Sequence, residues 1–310
     1  HPSAESDEHP RGGWRRLPPC RGQCQWPGEA GSTAFLVEGT GAGPGMTVHW
    51  PAEAIWEAVE PLLPGFSVEI LPEIDSTNTE LMRRARAGRL EPVLLVAERQ
   101  TAGRGRLGRH WQSDAAGAGQ NTPCALTFSI GLSLSPADWS GLSLAVGVSL
   151  VQSLHPELRL KWPNDVWWRD RKMAGILIET ASLGDMRYAV IGVGVNLTEP
   201  TPGEFSTAPS WLAEVVPGIT AAAALGRVAA PLVRAVKAFE ATGFAPFKER
   251  FNQFDALAGV AVTLSDGMQG TARGVDDRGA LLVHTAQGLR RVTSSEVSVR
   301  PLNPPDYQHI

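Results

Sequence analysis

The sequence predicts an α/β (α+β) chain that ends in a small β-barrel, and two observations predict it. Between residues 52 and 252, strand-like and helix-like stretches alternate, the pattern that lays helices over a sheet. Past Ala256 the texture changes to short apolar stretches parted by D-G, D-D-R-G and Q-G turns. That spacing suits a small barrel of roughly five strands.

The elements follow in order. Residues 52–62 suit a short helix and 66–71 (FSVEIL) a strand. In 76–88 (STNTELMRRARAG), Ser and Thr stand at a helix start, Glu80 lies in the first turn and Gly88 at the end. Residues 92–99 (PVLLVAER) form a buried-type strand that leads into 101–111, TAGRGRLGRHW. A strand at 124–134, a helix at 138–154 and strands near 157–168, 173–181 and 186–195 come next. Helices at 208–215 and 220–252 follow, with Gly243 and Pro246 breaking the second. A boundary near 254–256 separates a main domain, 46–255, from the barrel, 256–301, with a tail at 302–310.

Residues 1–45 are rich in Pro, Gly, Arg and Ser and have no period that could bury a core, so they are expected to be a disordered extension. The chain begins with His1, and Met46 opens the first protein-like stretch, so Met46 is the expected natural start.

Composition narrows the function classes. A net charge of −4 and a pI near 6.0 argue against general polyanion binding, so any basic patch must be local. No apolar run approaches the roughly 18 residues of a membrane span, and the first thirty residues lack a signal-peptide core. Cys20 and Cys24 have no Cys or His pair at zinc-finger spacing beside them, and with Cys124 they read as free thiols in a reducing cytoplasm.

Four stretches carry residue types suited to chemistry. In 101–111, glycines allow close backbone approach and arginines offer planar donors for carboxylate and phosphate; Trp111 adds a ring that can pack on a heterocycle. A mobile, solvated surface loop is the bland alternative. In 160–168 (LKWPNDVWW), Lys161, Asn164 and Asp165 are polar among apolar neighbours, and Pro163 breaks the strand before them. An Asn-Asp pair suits either a Mg²⁺ ion that also takes phosphate ligands or an ordinary turn. In 170–180 (DRKMAGILIET), Lys172 precedes Ala174 and Gly175, small residues that leave room against a sheet. In 191–197 (IGVGVNL), Gly192 and Gly194 leave one strand face bare, a floor for a planar ring or a place for tight sheet packing.

Together DSTN (75–78), QTAGRGRLGRHW (100–111), KWPND (161–165), RKMAGILIE (171–179) and GVGVN (192–196) closely resemble the motif series of the biotin protein ligases. The resemblance runs from about residue 66 to 301. It implies a mixed-sheet catalytic domain like that of class II aminoacyl-tRNA synthetases and biotin ligases, and a C-terminal SH3-like domain. It implies an ATP-dependent enzyme that converts biotin and ATP into biotinyl-5′-adenylate. The biotin then passes to a lysine of the biotin carboxyl carrier protein of acetyl-CoA carboxylase or a related carboxylase.

Residue by residue, the resemblance gives Ser76, Thr77, Asn78 and Gln100 to the biotin ureido ring and its surroundings. Gly103, Arg104, Gly105 and Arg106 would form the loop over biotin and adenylate. Lys172 would bridge the biotin carboxylate and the α-phosphate, with Arg106 as its catalytic partner. Gly175, Gly192 and Gly194 would form wall and floor. Arg109, Trp111, Asn164, Asp165, Asn196 and Trp211 would hold ATP, with Asp165 meeting Mg²⁺ through the phosphates.

The stretch 113–124 (SDAAGAGQNTPC) is longer and richer in Gly and Ala than the family's usual link, which would leave part of the rim mobile. Residues 1–65 are too short and irregular for the winged-helix domain of repressor members. The expectation is therefore a cytoplasmic ligase, monomeric or weakly dimeric, that binds neither DNA nor membrane. The alternatives are a lipoate or octanoate ligase on the same scaffold and a non-catalytic RNA-binding module. Acidic net charge and the lack of aromatic stacking motifs tell against the last.

Overall fold

The structure is a computed structural model that describes residues 48–112, 122–293 and 299–302. The expectations for 1–45, Met46, Cys20 and Cys24 lie outside the described residues, as do those for most of the 113–124 link and the 302–310 tail. Helix α1 (Ala52–Val59) is followed by β1 (Ser67–Ile74), α2 (Thr77–Arg86) and β2 (Val93–Gln100). Then come β3 (Ala125–Ser133), α3 (Leu142–Leu154), β4 (Arg159–Lys161), β5 (Asp165–Trp168), β6 (Arg171–Leu183) and β7 (Met186–Asn196). Helices α4 (Ala221–Thr242) and α5 (Lys248–Phe254) complete the main unit.

Seven strands form one sheet in the order β1-β2-β3-β7-β6-β5-β4, with β1 and β2 parallel and the other neighbours antiparallel. Strand alternation divides its two faces. On β2, Leu94 and Val96 join the large core with α1, α3 and α4, while Val93 and Leu95 join a smaller one with Leu81, Met82 and Ala85 of α2. On β7, Ile191, Val193 and Val195 face the large core. Tyr188 and Val190 pack under α2, and the same alternation carries on to Gly192 and Gly194. The α2 face is therefore packed at one end of β7 and stripped of side chains at the other, and the bare end is where a cleft opens.

The second sheet joins β8 (Ala261–Leu264), β9 (Gln269–Val275), β10 (Leu281–Thr285), β11 (Gly288–Val292) and β12 (Val299–Pro301). Its order is β11-β10-β9-β8-β12, antiparallel throughout, so the five expected strands are present as an antiparallel sheet. Its apolar residues Val262, Leu264, Val275 and Leu281 share the large core of the main unit. The Trp162 indole donates to Gly279 O at 3.0 Å across the junction.

Three sequence expectations need correction. The helix expected at 138–154 begins only at Leu142, because Gly141 before it takes φ +84°, outside the helical range. The helix expected at 208–215 is reduced to a 3₁₀ turn at Leu212–Glu214, since residues 208–210 pair with the backbone of Lys172 instead. The strand expected over 157–168 is two strands, with the turn through Pro163 setting Lys161 opposite Asp165. The break at Gly243 and Pro246 is observed, with a 3₁₀ turn at Ala245–Phe247 separating α4 from α5.

Candidate active site

An open cleft lies on the α2 face, between the start of α2, the end of β2, the Gly/Arg loop and the bare part of β6 and β7. Ser76, Thr77, Asn78, Gln100, Arg104, Gly105, Arg106, Trp111, Asn164, Lys172, Gly175, Gly192 and Gly194 all line it. Sequence reasoning missed the strand residues Phe128, Ile176, Leu177 and Val193, which also border it, although the side chains of Phe128, Ile176 and Val193 join the large core on the opposite face.

One end of the cleft is neutral and polar. Ser76 caps α2, its Oγ accepting from Thr79 N at 3.3 Å. The helix therefore starts with Thr77 and Asn78 buried at its tip, 3% and 4% exposed. Gln100 Oε1 accepts from Thr77 N at 2.9 Å, and Thr77 Oγ1 lies 3.2 Å from the same oxygen. That turns the Gln100 Nε2 group, a donor, away from Thr77. Ser129 of β3 is fully buried, with its Oγ 2.7 Å from Thr77 Oγ1 and 2.6 Å from Asn78 Oδ1. The sequence does not single it out, since the strand ALTFSIGLS also holds Thr127 and Ser133.

The other end is cationic. Lys172 Nζ pairs with Asp165 Oδ1 at 2.9 Å, and Arg106 donates to Asn164 Oδ1 at 3.3 Å. Asn164 is fixed in turn by donating to Ile176 O at 2.8 Å. Burial pulls the Arg106 guanidinium below its usual range; Asp165 opposes the shift and Arg109 adds to it. Lys161, which the sequence only placed nearby, is pushed down to about 8, first by burial, with Asp165 opposing and Lys172, Arg109 and Arg106 adding repulsion. Cations thus outnumber the one carboxylate, Asp165, around which they gather, an imbalance that anions would relieve.

The floor is covered in part by the protein's own side chains. A Cβ on Gly192 would lie 2.2 Å from Asn78 Oδ1, and one on Gly194 only 2.4 Å from Cε2 of Trp111. The indole lies against Gly194 with Lys172 Nζ at 5.9 Å from its ring centre, and its Nε1 is buried without a hydrogen-bond partner. The loop above is closed on itself: Gly105 N donates to Arg109 O, Trp111 N donates to Gly103 O, and Arg104 bridges to His110. Gly103 is buried where a Cβ would meet Trp111 O at 2.4 Å, so a side chain there would open this ring.

Gly103, Arg109, Asp165, Asn196 and Trp211 do not line the cleft. Asp165 stands behind Lys172. Arg109 is exposed on the loop's outer side. Asn196 spends its amide on Ser210 O at 3.0 Å and Lys172 O at 3.5 Å, which ties the 208–210 segment to β6. Trp211 follows that segment and stacks near Arg171, 5.6 Å from its ring centre. Among the described residues no group of three or more His, Cys, Asp or Glu could hold a metal ion.

Residues 70–196 match the model of the biotin/lipoate A/B protein ligase family, and 259–300 match that of the biotin protein ligase C-terminal domain. The bifunctional ligase/repressor BirA of Escherichia coli is 36% identical over 253 residues, 77% of this chain and 75% of that protein. The biotin--[acetyl-CoA-carboxylase] ligase of Mycobacterium tuberculosis is 32% identical over 74% of this chain and 88% of its own length. Among solved structures, the biotin protein ligase of Aquifex aeolicus in complex with biotin and ATP superposes with a TM-score of 0.63 at 28% identity, over 76% of this chain and 98% of that one. The chain belongs to the biotin protein ligase family.

Proposed function

We propose that the cleft binds biotin with its cyclic urea at the neutral end and its carboxylate at Lys172, and that ATP enters from the cationic side. Family membership makes the chain an ATP-dependent biotin–protein ligase. The observation that carries the assignment of the site is its polarity: one cleft joins a cluster of hydroxyl and amide groups to a cluster of cations, with Lys172 at the junction.

The chemistry needs that polarity. A biotin carboxylate oxygen attacks the α-phosphorus and pyrophosphate leaves, giving the acyl-adenylate; an acceptor lysine amine then attacks the acyl carbon and AMP leaves. The first step brings two anions together, and Lys172 and Arg106 offset their repulsion. At 4 Å and an effective dielectric near 20, one such charge contact is worth about 4 kcal/mol. Arg109 and Lys161 extend the positive field toward the departing phosphates.

Magnesium fits only as an ion carried by the triphosphate, since Asp165 is a single carboxylate already paired with Lys172. It would neutralise the leaving pyrophosphate. Trp111 and Gly194 form the surface on which the base rests, and Asn196 and Trp211 act from behind it by holding the 208–210 segment. The loop keeps water from the acyl-adenylate.

The acceptor is the carrier domain of a biotin-dependent carboxylase. The enzyme works in the cytoplasm as a monomer or weak homodimer; among the described residues no helix is long and apolar enough to cross a membrane. Pyrophosphate release measured with biotin, lipoate or octanoate tests the assignment. Release with biotin alone is expected, and release with lipoate or octanoate but not biotin would overturn it.

A further inference from the structure

Glu179 does not line the cleft, yet its carboxylate touches two residues that do. On β6 it accepts from Asn78 Nδ2 at 3.0 Å and meets Arg104 of the Gly/Arg loop at 3.0 Å. We propose that Glu179 is a positioning residue that fixes the hydrogen-bond polarity of the urea end of the cleft. This rests on the assignment of that end to biotin.

The proposal follows from counting protons. Asn78 Nδ2 has two, and both are committed, to Glu179 and to Leu177 O at 3.1 Å. Both partners only accept, so the Glu179 carboxylate and the Leu177 carbonyl together keep the Asn78 amide from turning over. Its Oδ1 is thereby held against Ser129 Oγ at 2.6 Å. From there three contacts run along the row, Asn78 to Ser129, Ser129 to Thr77 and Thr77 to Gln100 Oε1. The Ser129 and Thr77 hydroxyls supply only one proton each for them. The row is one proton short, a deficit that a donor reaching Thr77 or Asn78, both of which line the cleft, would relieve.

Such a row suits a ligand that donates. A cyclic urea carries two N–H groups, whereas a dithiolane or alkyl chain has none to offer. The urea oxygen, an acceptor, finds the Gln100 Nε2 group, which faces away from Thr77. With Glu179 replaced, only the Leu177 carbonyl opposes reversal of the Asn78 amide, and a reversed amide presents N–H to Ser129, which turns the row from accepting to donating. Glu179 therefore acts through Asn78 on the choice of acid, while its contact with Arg104 ties the loop to the same carboxylate.

The test uses the full chain with Glu179→Gln, which keeps shape and loses the acceptor-only character, and Glu179→Ala. Steady-state kinetics for biotin and ATP are read beside competitive inhibition by octanoate, an acid without N–H donors. The expected result is a biotin KM raised about ten-fold or more, the scale of one charge-assisted hydrogen bond, with the ATP KM and the octanoate inhibition constant within about two-fold of wild type. An unchanged biotin KM in both variants would overturn the proposal, as would equal weakening of biotin and octanoate, which would make Glu179 a loop anchor only. If Glu179→Ala fails to fold, Glu179→Gln alone decides. A wild-type enzyme that does not turn over biotin would overturn the site assignment instead.

Discussion

Gly192 and Gly194 show how much one missing side chain settles at the scale of a residue. Each lies where a Cβ would strike a neighbour, Asn78 Oδ1 at 2.2 Å for one and the Trp111 ring at 2.4 Å for the other. Gly192→Ala should push the Asn78 amide off Ser129 and raise the biotin KM about ten-fold, with much less effect on the ATP KM. Equal KM values for biotin in variant and wild type, from steady-state rates, would contradict the role given to that floor. Both glycines, the arginines and Lys172 were legible in the sequence because their chemistry shows in the residue type itself. Ser129 and Glu179 were not, since one serine or glutamate within an apolar strand gains meaning only from what stands across from it. Asn196, expected at the nucleotide, does not line the cleft, because its amide is taken up by backbone carbonyls that no motif displays.

At the scale of the element, the Gly/Arg loop answers to weak and local forces. One of its ties to the sheet is the Arg104–Glu179 pair, whose arginine is 48% exposed, and pairs that exposed are worth about 1 kcal/mol or less. The loop can therefore open at low cost, and anions meeting Arg104 and Arg106 would favour the closed form. Limited proteolysis should show residues 101–111 better protected with biotin and ATP than without, and unchanged cleavage would count against a closing loop. Gly141 is the counterpart for a helix. It starts α3 at φ +84°, and a Cβ there would lie 2.6 Å from the Phe244 ring. Gly141→Ala should cost about 2 kcal/mol or more, read by chemical denaturation, with the activity of the folded fraction kept. Nothing in the residue pattern marks this glycine, three residues inside the expected helix, as the point that delays it. Nor does that pattern show that residues 208–210 would leave their own helix to pair with Lys172, because that preference arises from tertiary contact.

For the molecule as a whole, the two sheets act as one body through a shared core. The alternation of strands and helices and the turn-rich stretch past Ala256 made both sheets legible, but not their fusion, which depends on matching apolar faces far apart in the chain. Asp255 sits at the junction with one carboxylate oxygen buried and unpartnered, and burial pushes it up to about 6, with the Leu257 N–H bond opposing. Its folded value lies above its unfolded one, so the stability it contributes is complete below about pH 4 and is lost as pH rises through about 6. Thermal melts of Asp255→Asn should match wild type near pH 4 and exceed it above pH 7, by up to about 3 kcal/mol. A difference that does not depend on pH would mean that the carboxyl is not desolvated.

Lys172, paired with Asp165 at the junction of the two ends of the cleft, is the charge proposed to bring the two anions together. Labelling of a biotin carboxyl carrier domain, followed with radioactive biotin in the presence and absence of ATP, measures this directly in wild type and Lys172→Ala. The wild-type chain should label the carrier only with ATP, and the variant should lose about a hundred-fold or more of the rate while keeping its fold. Full labelling by Lys172→Ala, or labelling that proceeds without ATP, would contradict the account.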